Sequence, residues 1–176
     1  MGAVLVHRSM SLDGFIAGPE HEMDWIFEHP GDERWREIME ATGAIIAGRN
    51  SQAVNERSSL GATKAPYGGA WSGPIFVLTH RPYDPPEGIT ALAGDIRDAV
   101  ATAKAAAGDK RVELFGADIS AQAFAAGLVD EVIVHLLPVV LGAGVPFSPG
   151  SGRVDLELVE RRATGPTTTL HFRVQR

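Results

Sequence analysis

The sequence contains no cysteine among its 176 residues. Disulfide bonds, thiol catalysis and cysteine-ligated metal sites are therefore excluded. An excess of basic residues is also absent, because 22 acidic residues outnumber 16 lysines and arginines and give a net charge of −6. Proteins that bind nucleic acid usually present a basic face, so this charge argues against a nucleic-acid partner.

Long apolar runs are missing as well. No stretch approaches the roughly 20 residues that a helix needs to cross a bilayer, so no membrane segment is predicted. The first ten residues, MGAVLVHRSM, lack the basic start and the small-residue cleavage site of a secretory signal. With 44% hydrophobic residues, the composition is typical of a soluble, cytoplasmic protein folded as one domain over residues 1–176.

The sequence does contain an alternation of apolar runs with helical patterns. The apolar, β-branched runs predict strands at residues 3–9, 43–48, 74–80, 89–92, 111–115 and 130–141. Helices are predicted at residues 31–42, 94–108 and 118–127, the first two with Asp32 and Asp95 as N-caps. Residues 154–163 and 167–176 alternate apolar with polar side chains and predict an antiparallel hairpin. Together these patterns predict an α/β fold with a mostly parallel central sheet and an antiparallel C-terminal hairpin.

Two segments carry weaker patterns. Residues 18–29 predict a short helix or turn with Met23, Ile26 and Phe27 at helical spacing. Residues 55–74 are rich in Gly, Ser and Pro, and they predict a long loop of the kind that is often functional.

Three predicted strands end in residues suited to binding phosphate. These ends are Gly48-Arg49-Asn50-Ser51, Thr79-His80-Arg81 and Gly116-Ala117-Asp118. The carboxyl ends of strands in a parallel sheet meet at one edge, where ligands collect. Arginine forks fit phosphate oxygens, and the amides at a helix N-terminus fit a pyrophosphate. The combination predicts a site for a ligand with several phosphates, such as a phosphorylated dinucleotide.

Each of these residues also has a plainer interpretation. Taken alone, Arg49 and Arg81 are typical of solvated surface charges, and Gly116 is typical of a turn. Asp118 is a candidate N-cap that would satisfy the helix amides itself. The agreement of three strand ends favours a site, because unrelated surface features have no reason to meet on one edge.

Residues 9–19, SMSLDGFIAGP, follow the first strand. The pair Asp13-Gly14 is typical of a tight turn, and this is the stronger interpretation from the sequence alone. The functional alternative is that Ser11, Asp13 and Gly14 form a loop over the reacting end of a cofactor, with Asp13 as the candidate catalytic residue. Trp25 would then wall a pocket for a planar ring, although a tryptophan is more often a core residue.

The six histidines show no metal-ligand spacing, so no metal site is predicted. His135 lies in the middle of a predicted strand. A core or interface histidine is more common at such a position than a catalytic base.

Five segments together resemble the dihydrofolate-reductase-like superfamily, specifically the reductase domain of the bifunctional riboflavin-biosynthesis deaminase/reductase and its stand-alone bacterial relatives. The segments are SMSLDGFIAG, IIAGRNS, FVLTHRP, VELFGADISAQAF and DEVIVHLLPVVLGAGVPF. The resemblance covers nearly the whole chain and implies a dihydrofolate-reductase-like three-layer sandwich that binds NADPH. The implied cofactor-binding residues are Gly48, Arg49, Ser51, Leu78, Thr79, His80, Arg81, Phe115, Gly116, Ala117, Asp118, Ile119, Ser120 and Gln122. Within this set, Thr79, His80 and Arg81 would hold the 2′-phosphate that distinguishes NADPH from NADH.

The resemblance also implies an activity, a substrate class and a partner. The reaction would be hydride transfer to a pyrimidine, pteridine or related heterocycle, as in 5-amino-6-(5-phosphoribosylamino)uracil reductase, with Ser11, Gly14 and Trp25 near the substrate. Relatives often form homodimers, and the strand VIVHLLPVVL with the C-terminal hairpin would supply the interface. Three alternatives stay open at this point: an NADP(H)-binding protein without catalysis, a dihydrofolate reductase, and a structural dimer that binds no nucleotide.

Overall fold

Eight strands form one twisted sheet in the computed structural model, which describes residues 2–29, 34–51, 66–148, 150 and 152–176. The strands of the chain are β1 (Val4–Met10), β2 (Phe15–Ala17), β3 (Thr42–Gly48), β4 (Ile75–Leu78), β5 (Ile89–Leu92), β6 (Arg111–Phe115), β7 (Glu131–Leu136), β8 (Val145–Pro146), β9 (Leu156–Thr164) and β10 (Thr167–Val174). The helices are α1 (Arg34–Ala41), α2 (Ile96–Ala107) and α3 (Ala117–Ala125), with short 3₁₀ helices at Asp24–Glu28 and Pro66–Gly69.

The order of the strands in the sheet is β5-β4-β3-β6-β1-β7-β10-β9. The first six run parallel, whereas β10 lies antiparallel to β7 and to β9. The predicted mostly parallel sheet with an antiparallel C-terminal hairpin is therefore confirmed. Strands β2 and β8 form a separate two-stranded ladder.

The two faces of the sheet are covered by different helices. Val4 and Val6 of β1 pack in the large core that contains the apolar sides of α2 and α3. Leu5, between them, points to the opposite face and packs with Ile38 of α1 and Ile133 of β7. Side chains alternate between the faces of a strand, so β1 contributes to both cores and the molecule has three layers.

Helix α2 is bounded by the residues that the sequence predicts. The Asp95 carboxylate accepts hydrogen bonds from the backbone N–H groups of Arg97 at 2.8 Å and Asp98 at 3.1 Å. This satisfies two of the four N–H groups that a helix leaves unpaired at its start. Gly108 ends the helix with a positive φ of 64°, a conformation that glycine adopts without strain.

Strand β7 differs from its prediction in length and in environment. It ends at Leu136 rather than 141, because Pro138 has no N–H to continue the ladder beyond the bond from Leu137 N–H to Met10 O of β1. Val132 and Val134 are buried inside the sheet, whereas Val140 of the same predicted segment is exposed. Leu156, Leu158 and Val159 of the C-terminal hairpin are exposed as well, and the interface that the resemblance implies stays a prediction.

The two weaker segments also differ from expectation. The predicted short helix is present at Asp24–Glu28, but its buried residue is Trp25, whereas Met23 and Phe27 are exposed. Thr42 begins β3 instead of ending α1. Asp32 and most of the predicted 55–74 loop lie outside the described residues. No helix among the described residues is long and apolar enough to cross a membrane.

Candidate functional site

The three strand ends predicted to form a site meet at the carboxyl edge of the sheet. Gly48 of β3 pairs with Leu78 of β4, and Ala47 pairs with Phe115 of β6. A Cβ atom added to Gly116 would lie 2.3 Å from Ser51 Oγ, which shows how closely the chain segments after β3 and β6 approach. We call the carboxyl edge formed by these three strand ends the cradle; that its residues bind a cofactor stays a prediction.

The amino end of α3 opens into this cradle without a cap. Gly116 occupies the N-cap position with φ 97° and ψ 143°, and no side chain among the described residues caps the first amides of the helix. Asp118 does not cap the helix, because its Oδ2 accepts a hydrogen bond from Gln122 Nε2 at 2.8 Å, one turn further along. The alternative in which Asp118 satisfies the amides is thus wrong. The first N–H groups of a helix carry partial positive charge and suit an anion.

Two arginines stand on the rim beside the helix end. Arg49 reaches from the end of β3 to the segment after β4, where its guanidinium donates to Pro82 O at 3.5 Å and lies 5.7 Å from the centre of the Tyr83 ring. The Thr79 hydroxyl accepts a hydrogen bond from the N–H of Arg81 at 3.2 Å, which shapes the turn after β4. Arg49 and Arg81 are exposed, and neither forms an ion pair with a residue that the structure describes.

Arg8 is a third cation at this site, and the sequence-based prediction missed it. Its guanidinium donates to Gly116 O at 3.3 Å, to Ser120 Oγ at 3.1 Å and to His7 O at 2.6 Å, and it lies 5.8 Å from the centre of the Phe115 ring. Burial lowers the pKa of Arg8 to about 10, so the group is charged at neutral pH. All of these acceptors are neutral. The sequence did contain an indication of this role. Arg8 follows Val4 and Val6 at intervals of two residues, so its side chain lies on the same buried face of the strand as theirs.

Asp13 links the β1–β2 turn to the segment after β7 by hydrogen bonds. Its two carboxylate oxygens accept hydrogen bonds from the N–H of Leu141 at 3.1 Å and of Gly142 at 2.7 Å, and Oδ1 also accepts from Ser11 Oγ at 2.6 Å. The bond from Ser11 and the backbone bonds hold the pKa of Asp13 below its usual value. Asp13 is therefore a carboxylate that organises the loop, and it offers no proton at neutral pH.

The predicted substrate residues are placed differently from one another. Ser11 is fully buried, and its hydroxyl is engaged with Asp13 and with the N–H of Phe15, so its side chain does not face a ligand. Gly14 has a φ of 91° and occupies the turn that the sequence predicts. Trp25 is 9% exposed, and its buried indole Nε1 has no hydrogen-bond partner within the described part of the chain. Of the three, Trp25 retains a free donor for a ligand.

A second polar group lies on the opposite face of the sheet. Glu113 on β6 is 1% exposed, and its Oε1 lies 3.0 Å from His7 Nδ1 on β1. His7 Nε2 in turn lies 2.8 Å from His135 Nε2 on β7, and His135 Nδ1 lies 2.8 Å from Thr169 Oγ1 on β10. The Tyr67 hydroxyl donates to the other oxygen of Glu113. A hydrogen-bonded line of side chains thus crosses four neighbouring strands.

Comparison with known proteins was made at the level of sequence and of structure. A sequence model of the RibD C-terminal domain matches residues 3–170. The uncharacterized protein YwjB of Bacillus subtilis (strain 168) is 26% identical over 172 residues, which cover 96% of this chain and 95% of that protein.

Two solved structures share the fold. A protein of Shewanella sp. PV-4 described as a riboflavin biosynthesis protein superposes with a TM-score of 0.81 at 22% identity, and 99% of each chain is covered. Dihydrofolate reductase from Enterococcus faecalis, complexed with NADP(H) and RAB-propyl, superposes with a TM-score of 0.68 at 14% identity, covering 99% of this chain and 97% of that one. The predicted dihydrofolate-reductase-like architecture is therefore confirmed.

Proposed function

The chain belongs to the RibD C-terminal domain family, and we propose that it is an NADPH-dependent reductase that acts on a pyrimidine, pteridine or related heterocycle. The structural neighbours include a dihydrofolate reductase complexed with NADP(H). A phosphoribosylaminopyrimidine of the riboflavin type is the first substrate to test.

One observation carries the cofactor assignment: the amino end of α3 is uncapped and stands among cations. Gly116 leaves room where a Cβ would meet Ser51, and Asp118 is turned to Gln122. Arg8 is bonded to the first turn of the helix without a carboxylate partner among the described residues. The charge of Glu113 raises the pKa of Arg8, but the guanidinium bonds only to neutral acceptors among the described residues, so a bound pyrophosphate would stabilise this buried cation further.

Different residues of the site would bind different parts of the cofactor. The amides at the start of α3, with Arg8 behind them, would hold the pyrophosphate. Arg49 and Arg81 stand at the ends of β3 and β4, where a phosphate on the adenosine ribose would meet their guanidinium forks. When bound, NADPH supplies the hydride, and the protein orients it toward the substrate and excludes water.

Titration of the three tryptophans by fluorescence with NADPH and with NADH tests this proposal. We expect NADPH to bind at least tenfold more tightly than NADH, and Arg81→Ala to abolish the difference. Arg173→Ala is the matched control, because it removes an exposed arginine from β10 opposite Glu131, at the amino edge of the sheet. Equal affinity for the two cofactors in the wild type would contradict the role given to Arg81.

The variant Arg8→Met distinguishes the contribution of the pyrophosphate to binding from that of the 2′-phosphate. Methionine keeps a long apolar side chain under α3 but removes the charge. We expect this variant to weaken NADPH and NADH to the same extent, since both carry the pyrophosphate. Unchanged binding of both cofactors would show that Arg8 is a structural residue.

A further inference from the structure

Two loops meet at the carboxyl edge of the sheet, directly beside the cradle. Residues 11–17 follow β1 and residues 137–147 follow β7, and together they are here called the paired loops. In the sheet, β1 lies between β6 and β7. The Arg8 guanidinium of β1 donates to Gly116 O at 3.3 Å and to Ser120 Oγ at 3.1 Å, so the end of β1 lies next to the start of α3. The paired loops therefore adjoin the cradle on the side away from β3 and β4.

Backbone contacts join the paired loops at several points. The Leu12 N–H donates to Val139 O at 2.7 Å. Further along the first loop, β2 pairs with β8 of the second loop. A Cβ atom added to Gly144 would lie 2.1 Å from Ala17 O, so the two backbones approach each other there more closely than a side chain would permit. The second loop thus holds the first loop both near its start and at its end.

The carboxylate of Asp13 adds side-chain hydrogen bonds to this junction. It accepts from the N–H of Gly142 at 2.7 Å and from the N–H of Leu141 at 3.1 Å, both in the second loop. It also accepts from the Ser11 hydroxyl at 2.6 Å, and that hydroxyl accepts from the N–H of Phe15 at 2.9 Å. Ser11 is fully buried. Asp13 is therefore bonded to the interior of its own loop and to the backbone of the other loop at the same time.

These contacts give Asp13 a role that differs from those of a catalytic acid and of a simple turn residue. The bond from Ser11, together with the backbone bonds, holds the pKa of Asp13 below its usual value, so the group has no proton to donate at neutral pH. A residue that shapes only its own turn needs no distant partner, yet Leu141 and Gly142 lie 128 and 129 positions further along the chain. Asp13 therefore acts by placing other residues.

Under the proposed function, the cofactor runs along the carboxyl edge toward the paired loops. The 2′-phosphate is assigned to Arg49 and Arg81 at the ends of β3 and β4, and the pyrophosphate to the start of α3 at the end of β6. The sheet order places β6 between β3 and β1. In a dinucleotide the pyrophosphate separates the adenosine from the nicotinamide. An extended cofactor with its adenosine at β3 and β4 therefore directs its nicotinamide to the other side of β6, where the paired loops lie.

Resting on the proposed function, we propose that Asp13 is a positioning residue of the reductase. By holding the first of the paired loops against the second, it shapes the part of the site that binds the nicotinamide half of NADPH. In this role Asp13 acts through the backbone of residues 11–17 and not by touching the reacting atoms. The adenosine half binds at the other strand ends and does not depend on Asp13. Loss of the Asp13 carboxylate should therefore affect the two halves of the cofactor differently.

Calorimetric titration with two ligands tests the inference without any substrate. NADPH carries both halves of the cofactor, whereas 2′-phosphoadenosine 5′-diphosphate has the adenosine, the 2′-phosphate and the pyrophosphate but no nicotinamide. The variant Asp13→Asn replaces one acceptor oxygen by an NH₂ group, so it loses hydrogen bonds that are worth roughly two- to twelvefold each in an equilibrium constant. We expect the affinity for NADPH to fall by at least about fivefold and that for 2′-phosphoadenosine 5′-diphosphate to stay within about twofold.

The matched control is Asp95→Asn. Asp95 also accepts from two backbone N–H groups, those of Arg97 at 2.8 Å and Asp98 at 3.1 Å, but it follows β5, which lies four strands away from β1 in the sheet. We expect this variant to bind both ligands as the wild type does. Ser11→Ala is a second test that keeps the Asp13 carboxylate and removes one of its donors, so it applies even if Asp13→Asn fails to fold. It is expected to weaken NADPH selectively, though less than Asp13→Asn.

The turnover number gives a further readout. Misplacing reacting groups by about 1 Å can cost about 10²-fold in rate, so we expect kcat with 5-amino-6-(5-phosphoribosylamino)uracil at saturating NADPH to fall in Asp13→Asn and not in Asp95→Asn. Equal weakening of the two ligands, unchanged NADPH affinity, or the same losses in Asp95→Asn would overturn the inference. If the wild type binds NADPH while Asp13→Asn and Ser11→Ala match it, only this inference fails. If the wild type binds neither ligand, the proposed function fails, and the inference with it.

Discussion

The substitution Gly116→Ala tests the cradle directly. Gly116 has φ 97° and ψ 143°, a combination that is essentially restricted to glycine and that costs other residues roughly 1–3 kcal/mol. The new Cβ would also lie 2.3 Å from Ser51 Oγ. The Ser51 hydroxyl can rotate away, so the backbone term is the part that no rearrangement of side chains removes.

We therefore expect Gly116→Ala to lose roughly 1–3 kcal/mol of unfolding free energy, or about 2–12 °C in Tm for a chain of this length. Urea unfolding followed by tryptophan fluorescence measures the loss. Because the substitution also displaces the amides at the start of α3, NADPH affinity should fall at least tenfold, which corresponds to about 1.4 kcal/mol.

Two controls distinguish the effect of backbone strain at residue 116 from the effect of the contact between the new Cβ and Ser51. Gly127→Ala places alanine at φ 67° with nothing within 4 Å of the new Cβ, so it should be destabilised while binding the cofactor normally. Adding Ser51→Ala to Gly116→Ala removes the oxygen that the Cβ meets, and should recover part of the stability. A Gly116→Ala variant with the urea midpoint of the wild type would refute the strain assigned to Gly116.

Three further predictions concern other parts of the molecule. Asp95→Ala should lower the unfolding free energy by about 1 kcal/mol through loss of the α2 cap, measured by urea unfolding. The depressed pKa of Asp13 means that its stabilisation is present above the unfolded pKa and is lost as the pH falls through the folded one. Asp13→Asn should therefore be less stable than the wild type at neutral pH, with the difference shrinking as the pH falls below the usual pKa of an aspartate, in the same assay. A homodimer remains a prediction, and we expect Leu158→Glu on the exposed edge strand β9 to give a monomer in size-exclusion chromatography; an unchanged elution volume would place the interface elsewhere.

The convergence of the three strand ends was predictable because it depends on features that are local in sequence. Short apolar runs ending in glycine or threonine identify β3, β4 and β6, and parallel pairing then brings their ends to one edge. The N-cap of α2 was predictable for the same reason, because it involves only the Asp95 side chain and two backbone amides close to it in the sequence. The end of β7 at Leu136 also had a local signal in Pro138, which cannot donate to the ladder, although the apolar run continues to residue 141.

The orientation of Asp118 could have been predicted from the sequence, because it depends on Gln122, one helical turn further along. Residues four apart on a helix face each other, so Gln122 competes for the carboxylate that a cap would use. Asp118 bonds to Gln122, and the amides are left for a ligand.

The hydrogen-bonded line of Glu113, His7, His135 and Thr169 could not be predicted, because its members are far apart in the sequence. His7 and Glu113 are separated by 106 positions, and His7 and His135 by 128. Their contact depends on the register of β6, β1 and β7, which no local pattern determines. The available signal was weaker: His7, Glu113 and His135 each follow an apolar residue inside a predicted strand. A buried polar residue is costly alone, and three of them on neighbouring strands favour pairing with one another.

The adjacent residues His7 and Arg8 belong to different networks on opposite faces of the sheet. Successive side chains of a strand point to opposite faces, so Arg8 lies against α3 while His7 contacts Glu113 on the face covered by α1. One dipeptide of β1 thus places a positive charge on the face proposed to hold the cofactor phosphates and a buried polar contact on the other. Substitution of Arg8 should therefore weaken the binding of NADPH, whereas substitution of His7, whose side chain lies on the other face, should leave the cofactor affinity unchanged.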